Sequence, residues 1–582
     1  MFCKAQFRMA VAASLILNLA IGPTFLHAQE PTADVPTFTL RANTRLVVVA
    51  VVVTDKKGQP VAALKAEDFT IEENGKKQRI AIFTPPGAAQ TAAQPLPPGI
   101  ISNRPEFLTP GGTPTVLLLD AANSQFKDQA YVRSQMLKYV AEQANSGTPM
   151  AVMTLTDRLH MLQDFTSDPR ILTAAIKSFK PAEPILQSAP PPPGDPGAST
   201  SGASGQGLLI AQAEIAGFAN IQLGYDLERR TLITISAMRS LTRVLGGLPG
   251  RKSVVWLTAD LPFDLIPQDR TVSDAELLAD LPSVKQKSIG TTSAGSLAAE
   301  ARSLHGQAIK EAESQLASAN IAIYPVDVRG LVGGMDAGIF AGHHDSSNDA
   351  GAVVASASLA KSDQMVPSQE TMREVAAETG GKAYMNQNDV KQGVALAVAD
   401  DKASYLIGYY PENKKWDGKY RSLKVKLAQG DTEVRYRKGF FAIDSSQEKN
   451  ANYEQDVAAA LQVNAPSTQV SFMAQAKPTD PGKMRIVFLV DAHTLSAEDS
   501  GGSKKLNASL FATVYDSSGK MLTNRSIKVD RAFDAATYQQ ILDKGMMVPI
   551  DLEIPSGGNQ LRLAVLDGRT GFVGTATGPL GQ

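Results

Sequence analysis

Hydrophobic positions along this chain change their period twice. Between Arg45 and Phe83 ("RLVVVAVVVTDKKGQPVAALKAEDFTIEENGKKQRIAIF") they form short β-branched runs broken by turn residues, the pattern of strands. "DFTIEENGKKQRIAIF" predicts a hairpin turning at Asn74-Gly75, because Asn-Gly tolerates the positive φ that a two-residue hairpin loop requires. From Thr115 the pattern alternates between apolar runs of strand length and amphipathic stretches of helix length. "TVLLLD" precedes a helix over 128–144. "MAVMTLT" and "LHMLQDF" precede a short helix with Asp168 as N-cap and Pro169 in its first position. A long helix over 226–248 leads into "RKSVVWLTAD", and a further helix leads into "NIAIYPVDV". The helix "TMREVAAETG", the short strand "KAYM" and the helix "NDVKQGVALAVADD" complete this region. Such alternation predicts a doubly wound, mainly parallel α/β sheet covered on both faces.

After Asp401 the helices stop, and "ASYLIGYYP", "YRSLKVKLA" and "EVRYRKGFFAI" alternate with period two. The N-terminal strands are too few to stand alone, and these later strands are their natural partners. The expected layout is a β-sandwich made by residues 44–84 with 402–445, and an α/β unit over 114–401 inserted between them. A separate all-β sandwich is expected over 446–582, where "MRIVFLVDAHT", "NASLFATVYDSSGKML", "MMVPIDLEIP" and "NQLRLAVLDGRTGFVG" are divided by turn signals. Residues 85–113, rich in proline and glycine, read as a linker, and 181–222 and 330–365 as flexible insertions.

Composition narrows the function classes. At 43% hydrophobic and 20% charged the chain can build proper cores, and a net charge of −1 excludes nucleic-acid binding by bulk electrostatics. Lys4 and Arg8 precede an apolar run, Met9 to Gly22, that is too short to span a bilayer, and "LHA" follows. This reads as a signal peptide over 1–28 with a polar leader over 29–43, so the mature chain is expected in the periplasm, the cell envelope or outside the cell. The single cysteine, Cys3, lies in that segment, which leaves the mature chain without disulfide or thiol chemistry. No later apolar run is long enough for a transmembrane helix.

Five blocks carry a family resemblance: "VVVTDKKGQPVAALKAEDFTIEENGKKQRI", "TVLLLDAANSQFKDQAYVRSQMLKYV", "LPGRKSVVWLTADLP", "ANIAIYPVDVRGL" and "YLIGYYPENKKWDGKYRSLKVKL…VRYRKGFFA". Together, over roughly Arg45 to Ala442, they resemble a von Willebrand factor type A domain of the exported group called acidobacterial VWFA-related proteins. The resemblance implies a doubly wound α/β core and a binding role, without naming a partner. It also implies a metal-ion-dependent adhesion site, whose first element is Asp-x-Ser-x-Ser after the first strand. In this sequence Asp120 matches the first position and Ser124 the last, but Ala122 stands where the middle serine belongs. Asn123 is one place out of phase, Asp260 of "TAD" stands near the position of a further ligand, and the intermediate threonine has no match. The metal set carried over is therefore Asp120, Ser124 and Asp260, a degenerate site for Mg²⁺, which asks for several well-placed oxygens. The alternative for Asp120 and Ser124 is to accept backbone N–H bonds at a strand-to-helix turn.

Other constellations are weaker. "GHHD" (342–345) lacks a third ligand at readable spacing. His160 and His305 have no H-E-x-x-H partner, and there is no G-x-S-x-G elbow or P-loop. The aromatics Tyr405, Tyr409, Tyr410, Trp416 and Tyr420 read as sheet packing. The expected function is that of a non-catalytic exported protein binding a protein partner through the strand-end face, with Asp120, Asn123 and Ser124 as contact residues. Two alternatives stand beside it: an envelope-polymer hydrolase using Asp120 and Asp260, and an architectural envelope protein with no specific ligand.

Overall fold

The computed structural model describes residues 46–61, 63–87, 94–108, 113–142, 148–181, 226–262, 294–330, 368–387, 389–401, 403–428, 430, 432–444, 453–463 and 465–580. The expected signal peptide and leader, nearly all of both insertions, and the "GHHD" run lie outside the described residues.

A five-stranded mixed sheet forms the centre of the α/β region. Its spatial order is Ile321–Asp327, Lys252–Thr258, Thr115–Asp120, Met150–Leu155, Leu159–Thr166. The first four strands run parallel and the last pairs antiparallel. Counted along the chain, the order is fifth, fourth, first, second, third. "KAYM" does not extend the sheet as a full strand; it contributes one parallel bridge, Val326 with Tyr384.

The first strand, "TVLLLD", is buried at every position, because helices cover both of its faces. Val116 and Leu118 point into a core shared with Met238, Leu241, Ile309 and Met372, from helices 226–245, Ala294–Ser318 and 368–379. Leu117 and Leu119 point into the opposite core with Val132, Met136, Leu172 and Val394. Those residues belong to helices Phe126–Glu142, Pro169–Ser178 and Val390–Asp401. A strand enclosed on both faces shows no polar alternation, which is why its sequence is a continuous apolar run. Asp168 caps the helix Pro169–Ser178 by accepting from the Arg170 N–H at 2.8 Å.

The strands flanking this region pair with one another. Val47–Asp55 lies antiparallel to Ser404–Tyr409, and Phe69–Glu73 to Tyr420–Leu427. Two four-stranded sheets result, and they share a core of Val49, Val51, Phe69, Ile71, Tyr405, Ile407 and Phe440. The hairpin turns at Asn74 (φ 47°) and Gly75 (φ 77°), the left-handed pair that this turn needs.

Past residue 465 two further antiparallel sheets enclose a core including Phe472, Phe488, Leu510, Ile550 and Leu563. One expectation is corrected here. Ile100–Ser102, inside the proline-rich segment read as a linker, is a strand paired with Phe472–Asp480. Its two isoleucines are too short a run to be seen between prolines and glycines, and its partner lies about 370 positions away. The α/β region meets these sheets where the helix 226–245 ends. Gly247 sits so close to the Thr468 carbonyl that a Cβ there would overlap it, and the Gly247 N–H donates to the Thr468 hydroxyl at 2.9 Å.

Candidate functional site

In a doubly wound sheet, ligands bind at the carboxyl ends of the strands where the order reverses, because the connections there leave to opposite faces and open a crevice. Here that point lies between Thr115–Asp120 and Lys252–Thr258. It brings together the residues singled out in the sequence: Asp120, Asn123 and Ser124 after one strand, Asp260 after the other.

Asp120 is 3% exposed, and three N–H donors point at its carboxylate. Its Oδ1 receives the Asn123 backbone N–H at 2.9 Å; its Oδ2 receives Asn123 Nδ2 and Trp256 Nε1, both at 2.9 Å. Burial pushes the Asp120 carboxyl above the usual aspartate range, while the bonds from Asn123 and Trp256 and the Thr258 hydroxyl pull the other way. Ser124 Oγ accepts the Ala259 N–H at 3.0 Å and so ties the two strand ends together. Gln129 Nε2 closes the turn by donating to the carbonyls of Ala121 and Ser124, at 3.2 and 2.8 Å.

The helix 226–245 delivers a cation that the sequence reading missed. Arg230 Nε donates to Asn123 Oδ1 at 3.0 Å, and Arg230 Nη2 to Asp260 Oδ2 at 2.6 Å. Its side chain is 6% exposed against 32% for Asp260. Thr234, one turn further on, accepts from Asn123 Nδ2 at 3.1 Å. A chain of bonds therefore runs Asp120–Asn123–Arg230–Asp260, with Asn123 at its hub. The adjacent strand end repeats the pairing: Arg329 Nε and Nη2 bind both oxygens of Asp327, at 2.8 and 2.7 Å. No spacing marks Arg230 or Arg329 in the sequence; the only cue was the charged start of a helix, "DLERR".

This arrangement does not fit a divalent cation. Mg²⁺ needs oxygen lone pairs converging on one point. The oxygens of Asp120 are turned to three N–H donors, Ser124 Oγ to a fourth and Asp260 Oδ2 to a guanidinium, while Ala122 offers none and is packed into the apolar core. Of the residues carried over as a metal set, Asp120, Ser124 and Asp260 all direct oxygens to N–H donors of the protein itself. Among the described residues no group of three or more His, Cys, Asp or Glu side chains is arranged to hold a metal.

Asp120, Asn123 and Ser124, expected as partner contacts, lie beneath the surface of this face. They are 3%, 1% and 2% exposed, so they shape the surface without forming it. Asp260 remains partly exposed at the site, and Phe126, at the start of the helix that follows the turn, is 51% exposed.

The other candidates fall elsewhere. His160 Nε2 pairs with Asp157 at 3.2 Å, and His305 lies 3.9 Å from Glu228. Tyr405 and Tyr409 are buried, their hydroxyls donating to the Val61 carbonyl and to Glu73 Oε2 at 2.8 and 2.7 Å. Arg421 lies over Trp416 at 5.4 Å and pairs with Glu73 at 3.0 Å in the same core.

Comparisons with known proteins find likeness at low similarity. No protein-family model matches the chain, and no curated protein matches it. Among solved structures, a von Willebrand factor type A protein from Catenulispora acidiphila is 8% identical over 94% of this chain and 74% of that one, with a TM-score of 0.20. BatB from Bacteroides thetaiotaomicron is 12% identical over 50% of this chain and 98% of its own, with a TM-score of 0.22. The pilus adhesin SpaC from Lactobacillus rhamnosus GG is 6% identical over 89% and 62%, with a TM-score of 0.24. Likeness this loose assigns neither a family nor an activity. Among the described residues no helix is long and apolar enough to cross a membrane.

Proposed function

We propose that the α/β region is a type A domain whose strand-end face binds a protein partner without a resident metal ion, in an exported, non-catalytic protein of the cell envelope. The observation that carries this reading is the Arg230–Asp260 pair at the switch point. It ties the helix 226–245 to the strand end and leaves Asp260 partly exposed there, and Phe126, at the start of the helix that follows Asp120, is exposed as well. Exposed aromatic side chains and arginines are common anchors of protein interfaces. The sequence resemblance and the strand order, with its antiparallel edge, support the type A assignment. The apolar run after Lys4 and Arg8 supports export.

A hydrolase acting through Asp120 and Asp260 has less behind it. Acid–base work needs both carboxyls within reach of substrate, and Asp120 is enclosed by Asn123 and Trp256.

The test is capture of envelope proteins by the full chain, with and without a chelator, beside the Phe126→Ala/Asp260→Ala variant. Recovery is expected to ignore the chelator and to fall in the variant. Equal recovery by the variant would remove this face from the account. Calorimetric heat at millimolar Mg²⁺ that disappears in Asp120→Ala would overturn the metal-free reading.

A further inference from the structure

The strand Met521–Phe533 is 13 residues long and, among the described residues, pairs on one side only, with Ser503–Tyr515. It therefore presents a long open sheet edge, the feature natural proteins usually cover, shorten or interrupt. Its sequence, "MLTNRSIKVDRAF", holds neither proline nor glycine. The edge strand of the facing sheet, Met546–Glu553, pairs among the described residues only with Lys483–Val490 and carries Pro549, which has no N–H to offer a ladder. The two edges are joined by the helix Ala535–Lys544, and between them lies a groove of about 650 Å³. Half-buried Ile527, Val529, Phe533 and Ile541 contribute apolar surface to it. Met547, 70% exposed, stands on the rim.

The charge along this edge is one-sided. Arg525, Lys528 and Arg531 are exposed, and none of them forms an ion pair among the described residues. The one acid of the strand, Asp530, is paired to Lys505 of the neighbouring strand at 3.0 Å. Arg525 and Arg531 share the face of Ile527 and Val529 and Lys528 stands on the other, so the positive charge on both faces disfavours a second copy of the same edge but admits a strand of opposite sign.

We propose that the open edge of Met521–Phe533 is a docking site for an extended acidic segment of a partner polypeptide, which adds to the sheet as a further strand. Main-chain hydrogen bonds hold the segment to the edge. Apolar side chains of the segment stand opposite Ile527 and Val529, with carboxylates opposite Arg525 and Arg531 on the same face and opposite Lys528 on the other. This site is remote in sequence from the strand-end face and does not depend on it.

The test uses the full chain and fluorescein-labelled peptides: Glu-Thr-Val-Glu-Val-Thr-Glu, which puts valines opposite Ile527 and Val529 and glutamates opposite Arg525, Lys528 and Arg531, the same peptide with lysine for glutamate, and polyglutamate. The valine–glutamate peptide is expected to bind and to slow amide hydrogen exchange within 521–533. Binding should weaken about tenfold or more in Lys528→Glu/Arg531→Glu, and less in the milder Lys528→Ala/Arg531→Ala. The distant control Lys57→Glu should leave it unchanged. No binding, protection located elsewhere, or affinity untouched by charge reversal would overturn the proposal. Equal binding of polyglutamate without protection of 521–533 would reduce it to charge attraction and remove strand addition.

Discussion

Replacing Asn123 with alanine tests whether this side chain holds the strand-end site together. Three bonds go: Nδ2 to Asp120 Oδ2 at 2.9 Å, Nδ2 to Thr234 Oγ1 at 3.1 Å, and Oδ1 from Arg230 Nε at 3.0 Å. The backbone bond from Asn123 to Asp120 stays. Two of the lost bonds involve charged groups, at about 1.5–3 kcal/mol each, and the third is neutral, at about 0.5–1.5 kcal/mol. The three share one side chain and do not simply add, so the expected loss is about 3–5 kcal/mol, the range for depriving a buried charge of its partner. The chain has two tryptophans, and Trp256 donates directly to Asp120. In a Trp416→Phe background its fluorescence therefore reports denaturant unfolding of this region alone. The pH dependence adds a second check. Burial raises the Asp120 carboxyl in the folded state, so the folded state holds its proton more tightly than the unfolded chain. The associated stability is full below the ordinary aspartate range and is lost as pH rises through the folded value. Removing a donor raises that folded value further. Wild type and Asn123→Ala should thus lie closer together in acid and separate as pH rises. A loss below about 1 kcal/mol, too small for a buried charged bond, or a gap of the same size in acid and at neutral pH, would refute the reasoning.

Three further outcomes follow from other sites. Ala122→Ser restores the middle serine of the metal-binding turn but places a hydroxyl in the apolar core, where Ala122 is 2% exposed. It should cost about 1–3 kcal/mol in thermal unfolding and bring no Mg²⁺-dependent rise in melting temperature. Lys252 is buried, its Nζ donates to the Leu248 carbonyl at 2.9 Å, and burial pushes its ammonium down to about 7. Its folded value is depressed, so the associated stability is present above the unfolded lysine range and lost as pH falls through about 7. Lys252→Met should accordingly stabilise the protein by about 1–4 kcal/mol at pH values below that point and flatten the pH profile, read by denaturant titration. Gly247→Ala drives a Cβ into the Thr468 carbonyl. It should cost about 1–3 kcal/mol and speed amide exchange around residues 465–470.

The sequence alone determined the elements wherever local chemistry is decisive. "TVLLLD" is apolar throughout because it is enclosed on both faces, Asp168-Pro169 starts a helix, and Asn74-Gly75 turns a hairpin. Period-two alternation gave "YRSLKVKLA" its in-and-out faces, which the burial pattern of Tyr420–Leu427 repeats. Tertiary structure decided everything that depends on contacts between distant segments. Ile100–Ser102 becomes a strand only because Phe472–Asp480 supplies its ladder. Asp120, Asn123 and Ser124 could be found in sequence because they sit within five residues of one another. Their role could not, since it is set by Arg230 and Trp256, which lie 107 and 136 positions from the residues they bond. A turn that lacks one serine looks like a weakened metal site when read along the chain. Folded, the same turn is filled by an amide and a guanidinium, because bond direction and burial arise only when the helix 226–245 and the strand Lys252–Thr258 are brought against it.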